Sequence, residues 1–177
     1  MLPDGYSLRR LRLDDAAAMA DAYRRNREHL APWDPTRDPA IYTEQGQVAV
    51  VAGQLAALRT GHVAAWVIEH QGRVAGRINL NNIVRGVLRS GSLGYWVDAA
   101  HLGRGVAAGA VEEVCALAHA EGLHRVEAGT LLHNVASQRV LRRCGFEHYG
   151  TAPRFLFIGG AWQDHRLYQR ILHDDPL

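Results

Sequence analysis

Apolar and polar positions along the 177-residue chain fall into blocks whose period switches between two and about 3.6. Residues 7–13, with Leu8, Leu11 and Leu13 set among arginines, read as a first strand of imperfect alternation. Asp14 and Asp15 then precede an alanine-rich helical stretch to Asn26, where aspartate supplies a cap and suits the helix dipole. Pro32 and Pro35 break the chain around Trp33. The spacing predicts a second helix over 43–58, with Val48, Val51, Leu55 and Leu58 on one face and Gly61 as its stop. Strands follow over 64–69 and 73–80, joined by a Gln71-Gly72 turn, and over 93–98, with a bend in 84–92 carrying Gly86 and Gly91. A long helix covers 105–121, with Val106, Ala110, Val114 and Leu117 as its apolar stripe and Gly122 beyond it. Residues 125–130 read as a strand. Residues 134–144 form a short helix with Ala136, Val140, Leu141 and Cys144 on one face, ended by Gly145. Two last strands, 146–158 and 161–172, turn at Gly159-Gly160, and the polar tail frays. The order is strand, two helices, three strands, helix, strand, helix, two strands. It predicts an α+β fold with a mixed sheet, in one continuous domain over residues 1–177.

Composition narrows the class. With 47% apolar and 21% charged residues, the chain is excluded from disordered, collagen-like and coiled-coil proteins. Its length suffices for a core without disulfides, since a domain of this size buries roughly 70% of its unfolded surface. The net charge of +2 gives no ground for a nucleic-acid partner. The Arg9, Arg10, Arg12 and Arg24, Arg25, Arg27 clusters read as solvated faces. Cys115 and Cys144 lie in helical patterns without a CxxC, as reduced thiols do in a cytoplasmic protein. The first dozen residues carry charges where a signal core would be apolar, and no apolar run reaches the roughly 18 residues of a membrane helix. The ten histidines are scattered and none belongs to an HExxH, so no metal is expected.

The segment LGYWVDAAHLGRGVAAGAVEEVCALA, residues 93–118, carries the most chemistry. A strand ends near Asp98, and Gly103-Arg104-Gly105 leads directly into the long helix. Two glycines allow successive backbone N–H groups to converge, the helix start adds about half a positive charge, and Arg104 adds a full one. That combination suits a pyrophosphate, although a plain strand-to-helix turn would look alike. A P-loop is excluded because the chain has no lysine, and a dinucleotide-binding GxGxxG fails because Ala108 stands where the third glycine belongs.

This cradle, with its strand and the later HNVASQRVLRRCGFEHYG, resembles the GNAT superfamily of acyl-CoA-dependent N-acyltransferases, and within it the RimJ/RimL branch that acetylates protein N-termini. NREHLAPW (26–33), NNIVRG (81–86), LGYWV (93–97), GRG (103–105), HRVEAG (124–129), HNVAS (133–137), CGF (144–146) and WQDHRLY (162–168) stand in family order over nearly the whole chain. The resemblance implies a mixed sheet of about seven strands flanked by about four helices, splayed between 93–98 and 125–130. It implies acetyl-CoA as cosubstrate. Gly103, Arg104, Gly105, Val106 and Ala107 would hold its pyrophosphate, and the backbone of Tyr95, Trp96 and Val97 its pantetheine arm. Asn134 would touch the arm or cap the next helix, and Ser137 would lie near the CoA sulfur. Leu102 departs from the family's usual Gln or Arg before the first glycine, which removes a side-chain contact and leaves the backbone cradle.

The implied reaction is attack of an amine on a thioester carbonyl, most simply in a ternary complex. Ser137 is the catalytic candidate, protonating or hydrogen-bonding the departing thiolate; a serine at a helix start also bonds nearby backbone. The strand at 93–97 offers no carboxylate as base, which leaves Glu69, Glu127 and His133 as candidates. An α-amine has a pKa near about 7.8 and is partly free at neutral pH, whereas a lysine amine near about 10.4 is almost wholly protonated. A site without a strong base therefore suits an N-terminal amine. Trp33, Asn26, His29 and Tyr95 are the acceptor-binding candidates, Trp33 being equally suited to packing on the core. Tyr95 and Trp96 must face opposite sides of their strand. A small-molecule amine remains the alternative acceptor, and a non-catalytic acyl-CoA-binding module the alternative class. The expected partners are acetyl-CoA and the acceptor, without nucleic acid or membrane, in a monomer or homodimer.

Overall fold

The computed structural model describes residues 1–176. Seven strands form one sheet in the order β1-β2-β3-β4-β5-β7-β6. They are β1 (Tyr6–Arg10), β2 (Ala64–His70), β3 (Arg73–Val84), β4 (Ser90–Val97), β5 (Arg125–Leu131), β6 (Glu147–Ile158) and β7 (Ala161–Ile171). Five α-helices, α1 (Ala16–Arg25), α2 (Arg27–Leu30), α3 (Glu44–Arg59), α4 (Val106–Ala120) and α5 (Val135–Arg143), flank it. The α+β mixed sheet is therefore as the sequence predicts, with one helix more: α2 is a single turn that the prolines after it concealed.

Two cores follow from the alternation of strand side chains. In β2, Ala65 and Val67 pack with Met19, Tyr23 and Val51 beneath α1 and α3. The intervening Ala64, Trp66 and Ile68 join Val106, Ala110 and Val114 of α4 on the other face. An unbroken apolar run is what a strand covered on both faces requires.

Four local expectations change. Val48 is exposed and Gln47 is fully buried in its place on α3. The turn at Pro39–Tyr42 presents a backbone carbonyl to that face, and the Gln47 amide donates to Ile41 O at 2.7 Å. A buried carbonyl needs a donor more than it needs another methyl. Asp15 does not cap α1; its carboxylate takes the Arg12 N–H and the Arg9 guanidinium fork at 2.8 and 2.9 Å. Arg9 also binds Glu69, so this member of the first arginine cluster is a half-buried ion-pair centre rather than part of a solvated face. Ala136 is exposed on α5, and Gln138 is buried in the helix instead.

Candidate active site

All but one of the strand pairs are antiparallel; β4 and β5 run parallel. They pair only over Ser90, Gly91 and Ser92 against Arg125, Val126 and Glu127. Beyond Ser92 the two strands separate, and the β4 backbone on that side has no strand partner. The opening is a slot for an extended polar chain that can take the ladder hydrogen bonds. Past the end of β4, Asp98 caps a turn at Ala99–His101, and Gly103 and Gly105 follow with φ of +72° and +79°. Gly105 is the left-handed N-cap of α4, and no side-chain bond occupies its first turn. The slot and the cradle therefore fit the CoA of the resemblance: unpaired backbone for the arm, and a glycine turn into a helix start for the pyrophosphate. Arg104 is exposed there, as is Leu102.

Tyr95 points from β4 toward α5 and Trp96 toward α1, on opposite faces as alternation demands. The Tyr95 hydroxyl lies 2.8 Å from Ser137 Oγ. Burial raises the Tyr95 pKa, outweighing the Ser137 hydrogen bond, so the phenol stays protonated across the working range. A phenol donating to Oγ leaves the serine hydrogen free to point elsewhere. Asn134 caps α5, its side-chain oxygen accepting the Ser137 N–H at 3.1 Å. Gln138, which the periodicity did not single out, donates to Leu131 O and Leu132 O at the end of β5. Those bonds fix the turn that presents Ser137 to the slot.

The other face of the slot is where an acceptor must enter. Trp33 lies against His133, ring centroids 5.4 Å apart, so the loop after α2 meets the β5–α5 turn. Trp96 donates to the Tyr23 hydroxyl at 3.2 Å. His29 is half-buried on α2. Asn26, expected to bind the acceptor, is instead buried, 1% exposed, and engaged within the fold: its amide donates to Ala22 O and its carbonyl takes the Ala99 N–H, both at 2.9 Å. It pins the end of α1 to the cradle loop. On the two strands that border the slot, a side chain at Gly94 would meet the Asn79 and Asn81 amides, and one at Gly129 would meet Phe155 and His165. These neighbours lie far apart in sequence and only the sheet brings them together. Among the base candidates, Glu69 is on β2, two strands from β4, and is held by Arg9. Glu127 reaches the root of the slot but is bound by Arg125 at 2.6 Å and by the Tyr149 hydroxyl at 2.7 Å. His133 is the exposed partner of Trp33.

Asp98 ties the two halves of the site. Its carboxylate accepts the Ala100 N–H at 2.9 Å and Arg25 Nε at 2.7 Å. Burial alone would raise its pKa; the Asn26 amide, the Ala100 N–H and the Arg25 charge together bring it below the usual aspartate value. A carboxylate with a lowered folded pKa stabilises fully above its unfolded pKa of about 3.9 and loses that contribution as pH falls through the lower folded value. Asp98→Asn is expected to cost about 1–2 kcal/mol at pH 7. The gap to the wild type should close in strong acid, as measured by urea unfolding from pH 7 to pH 2. Burial, with His70, Arg104 and Arg25 nearby, outweighs Asp98 and lowers the His101 pKa. A neutral imidazole therefore faces the Tyr6 hydroxyl at 2.7 Å.

A mixed sheet that opens one parallel pair beside a glycine-turned helix start is the frame of a transferase working on a CoA thioester. Comparison with known proteins agrees. A family model described as an acetyltransferase (GNAT) domain matches residues 7–147. The probable N-acetyltransferase YjcK of Bacillus subtilis (strain 168) is 31% identical over 172 residues, 95% of this chain and 94% of that protein. The ribosomal-protein-S5-alanine acetyltransferase from Vibrio fischeri superposes with a TM-score of 0.93 at 30% identity, covering 99% of this chain and 98% of that one. Mycobacterium smegmatis RimJ, solved in complex with CoA-disulfide, superposes with a TM-score of 0.89 at 33% identity, covering 94% of this chain and 81% of that one. The chain belongs to the GNAT acetyltransferase family and is an N-acetyltransferase of the RimJ/RimL kind. None of the helices among the described residues is long and apolar enough to cross a membrane.

Proposed function

We propose that the protein transfers the acetyl group of acetyl-CoA to the α-amino group of a protein or peptide N-terminus, a ribosomal protein being the first candidate. The observation that carries this is the Ser137 hydroxyl, held by Tyr95 beside the open strand pair, with no unpaired carboxylate among the candidate bases. An acceptor that is partly neutral on its own fits such a site better than a lysine side chain. The likeness to a ribosomal-protein-S5-alanine acetyltransferase supports the same acceptor.

Bound acetyl-CoA supplies an activated acyl thioester. Backbone N–H groups from Gly103 to Ala107 hold its phosphates, with Arg104 adding charge, and the free edge of Tyr95, Trp96 and Val97 aligns its arm. Ser137, with its oxygen engaged by Tyr95, directs its own hydrogen at the departing sulfur and lowers the cost of the developing negative charge. Trp33, His29 and Tyr95 border the path of the acceptor amine. The chain acts as a single domain of this kind in the cytoplasm, where nascent and ribosomal proteins expose free N-termini.

Thiol release from acetyl-CoA with short peptides beginning with Ala, Ser or Met, beside a panel of small amines, tests the proposal. Turnover is expected with free N-terminal peptides and is expected to vanish when that amine is blocked. Turnover confined to small amines would overturn it.

A further inference from the structure

Residues 1–5, ahead of β1, and Tyr6 at its start run alongside the phosphate cradle, and the proposed reaction gives them no part. Two sets of contacts place them. On the helix side, a Cβ built on Gly109 would stand 2.7 Å from Leu2 Cα and 2.8 Å from the Met1 carbonyl oxygen. Side-chain carbons do not approach backbone that closely, so at Gly109 the leading segment lies directly against α4. Gly109 is one turn beyond Gly105, whose carbonyl takes its N–H at 2.9 Å. Pro3 Cγ is 4.0 Å from the matching point on Gly105, so the segment follows the first turn of α4 back to the cradle. On the loop side, the Tyr6 hydroxyl hydrogen-bonds His101 Nδ1 at 2.7 Å. His101 ends the turn Ala99–His101, two residues before Gly103.

One short segment thus holds the chain on both sides of Gly103 and Gly105. It is itself anchored. Leu2 and Tyr6 pack on the main core, the Tyr6 ring stacks on His70 with centroids 4.3 Å apart, and the His70 imidazole donates to Gly5 O at 2.9 Å. The cradle has a use for outside support. The Asn26 and Asp98 bonds that fix its approach end at Ala99 and Ala100. Beyond them come two glycines at positive φ, the residue type with the most backbone freedom to lose. Backbone donors bind a phosphate well only where they are already aligned.

We propose that this segment braces the phosphate cradle, with Tyr6 and Gly109 as positioning residues for CoA. Tyr6 fixes the turn before the glycines, and Gly109 admits the backbone that steadies the helix start after them. The inference deepens the cradle's role in the proposed function. It rests on CoA binding there and not on which amine accepts the acetyl group, so a titration with CoA tests it without any acceptor.

Gly109→Ala is the sharpest probe. Alanine favours a helix over glycine, so α4 by itself would gain. The added methyl instead displaces the segment. CoA titrated by calorimetry into the full chain should bind about tenfold more weakly. In the CoA-free protein, hydrogen exchange should quicken at the position-109 amide, whose bond to Gly105 O closes the first turn, and at Ala110. Tyr6→Phe keeps the stack on His70 and loses only the hydroxyl; its CoA affinity should fall about threefold, with faster exchange at the same two amides. The double variant should lose less than the product of the two, because both release one segment. With an active peptide, each variant should raise the KM for acetyl-CoA and leave kcat within about twofold. Should Gly109→Ala fail to fold, Tyr6→Phe carries the test by the same readouts. Wild-type CoA affinity in both variants would overturn the brace. So would a weakened affinity without faster exchange at the helix start, or losses that simply multiply in the double variant.

Discussion

Ser137→Ala is expected to lower kcat about 100-fold while leaving CoA affinity within a factor of about three. The asymmetry follows from where the parts sit. The phosphates are to be held by the turn at Gly103 to Gly105 and the arm by the unpaired edge of β4, and neither needs the serine. What Ser137 supplies is a hydrogen at the point where the C–S bond breaks and charge appears on sulfur. Its orientation depends on Tyr95, whose hydroxyl lies 2.8 Å from Oγ; when the phenol is the donor of that bond, the serine hydrogen is free for the sulfur. Tyr95→Phe should therefore lose a smaller factor, about tenfold, by letting the hydroxyl rotate. The double variant should be no slower than Ser137→Ala, since both act through one bond. Ser137→Thr keeps a hydroxyl and should recover part of the rate. Losing the bond should cost stability only about 1 kcal/mol, so thermal unfolding stays close to wild type. Single-turnover kinetics with acetyl-CoA and an active peptide read the effect. An unchanged rate in Ser137→Ala would take the serine out of the chemistry and leave the phenol as the nearest donor.

Local signals in the chain carried far because each was redundant. The helix at Val106–Ala120 combines an apolar arc with a glycine before it and Gly122 after it. Asn134 announces α5 by the same side chain that caps it. What escaped was set by distant partners. Whether Gln47 or Val48 faces inward is decided by the Ile41 carbonyl, and nothing within α3 records that carbonyl. Asn26 has the composition of an acceptor-binding residue and spends it on the cradle loop 73 positions later. Tyr95 and Trp96 could be placed on opposite faces, but which face held which followed only from the strand order.

Gly105→Val is expected to weaken CoA binding about thirtyfold or more without touching the acceptor side. Gly105 sits at φ +79° and ψ 2°, a region that β-branched residues avoid at a cost of about 1–3 kcal/mol. Crowding is not the cause: a Cβ there would find Pro3 Cγ at 4.0 Å, an ordinary contact. The penalty is therefore purely conformational, and the chain can relieve it only by turning φ negative. Doing so rotates the N–H groups that begin α4 away from their common focus, and each lost charge-assisted bond to phosphate weakens binding in proportion. The order of variants tests this reasoning. Gly105→Asn tolerates the left-handed conformation and should lose only a few-fold, Gly105→Ala more, and Gly105→Val most. Arg104→Ala removes an exposed charge without altering the backbone; its loss should be a few-fold and should shrink as salt rises. Calorimetric titration of each variant with CoA separates the two contributions, because only the arginine's should depend on ionic strength. Were Gly105→Val to bind CoA as the wild type does, the phosphates would have to lie elsewhere, and the slot between β4 and β5 would need a different anchor.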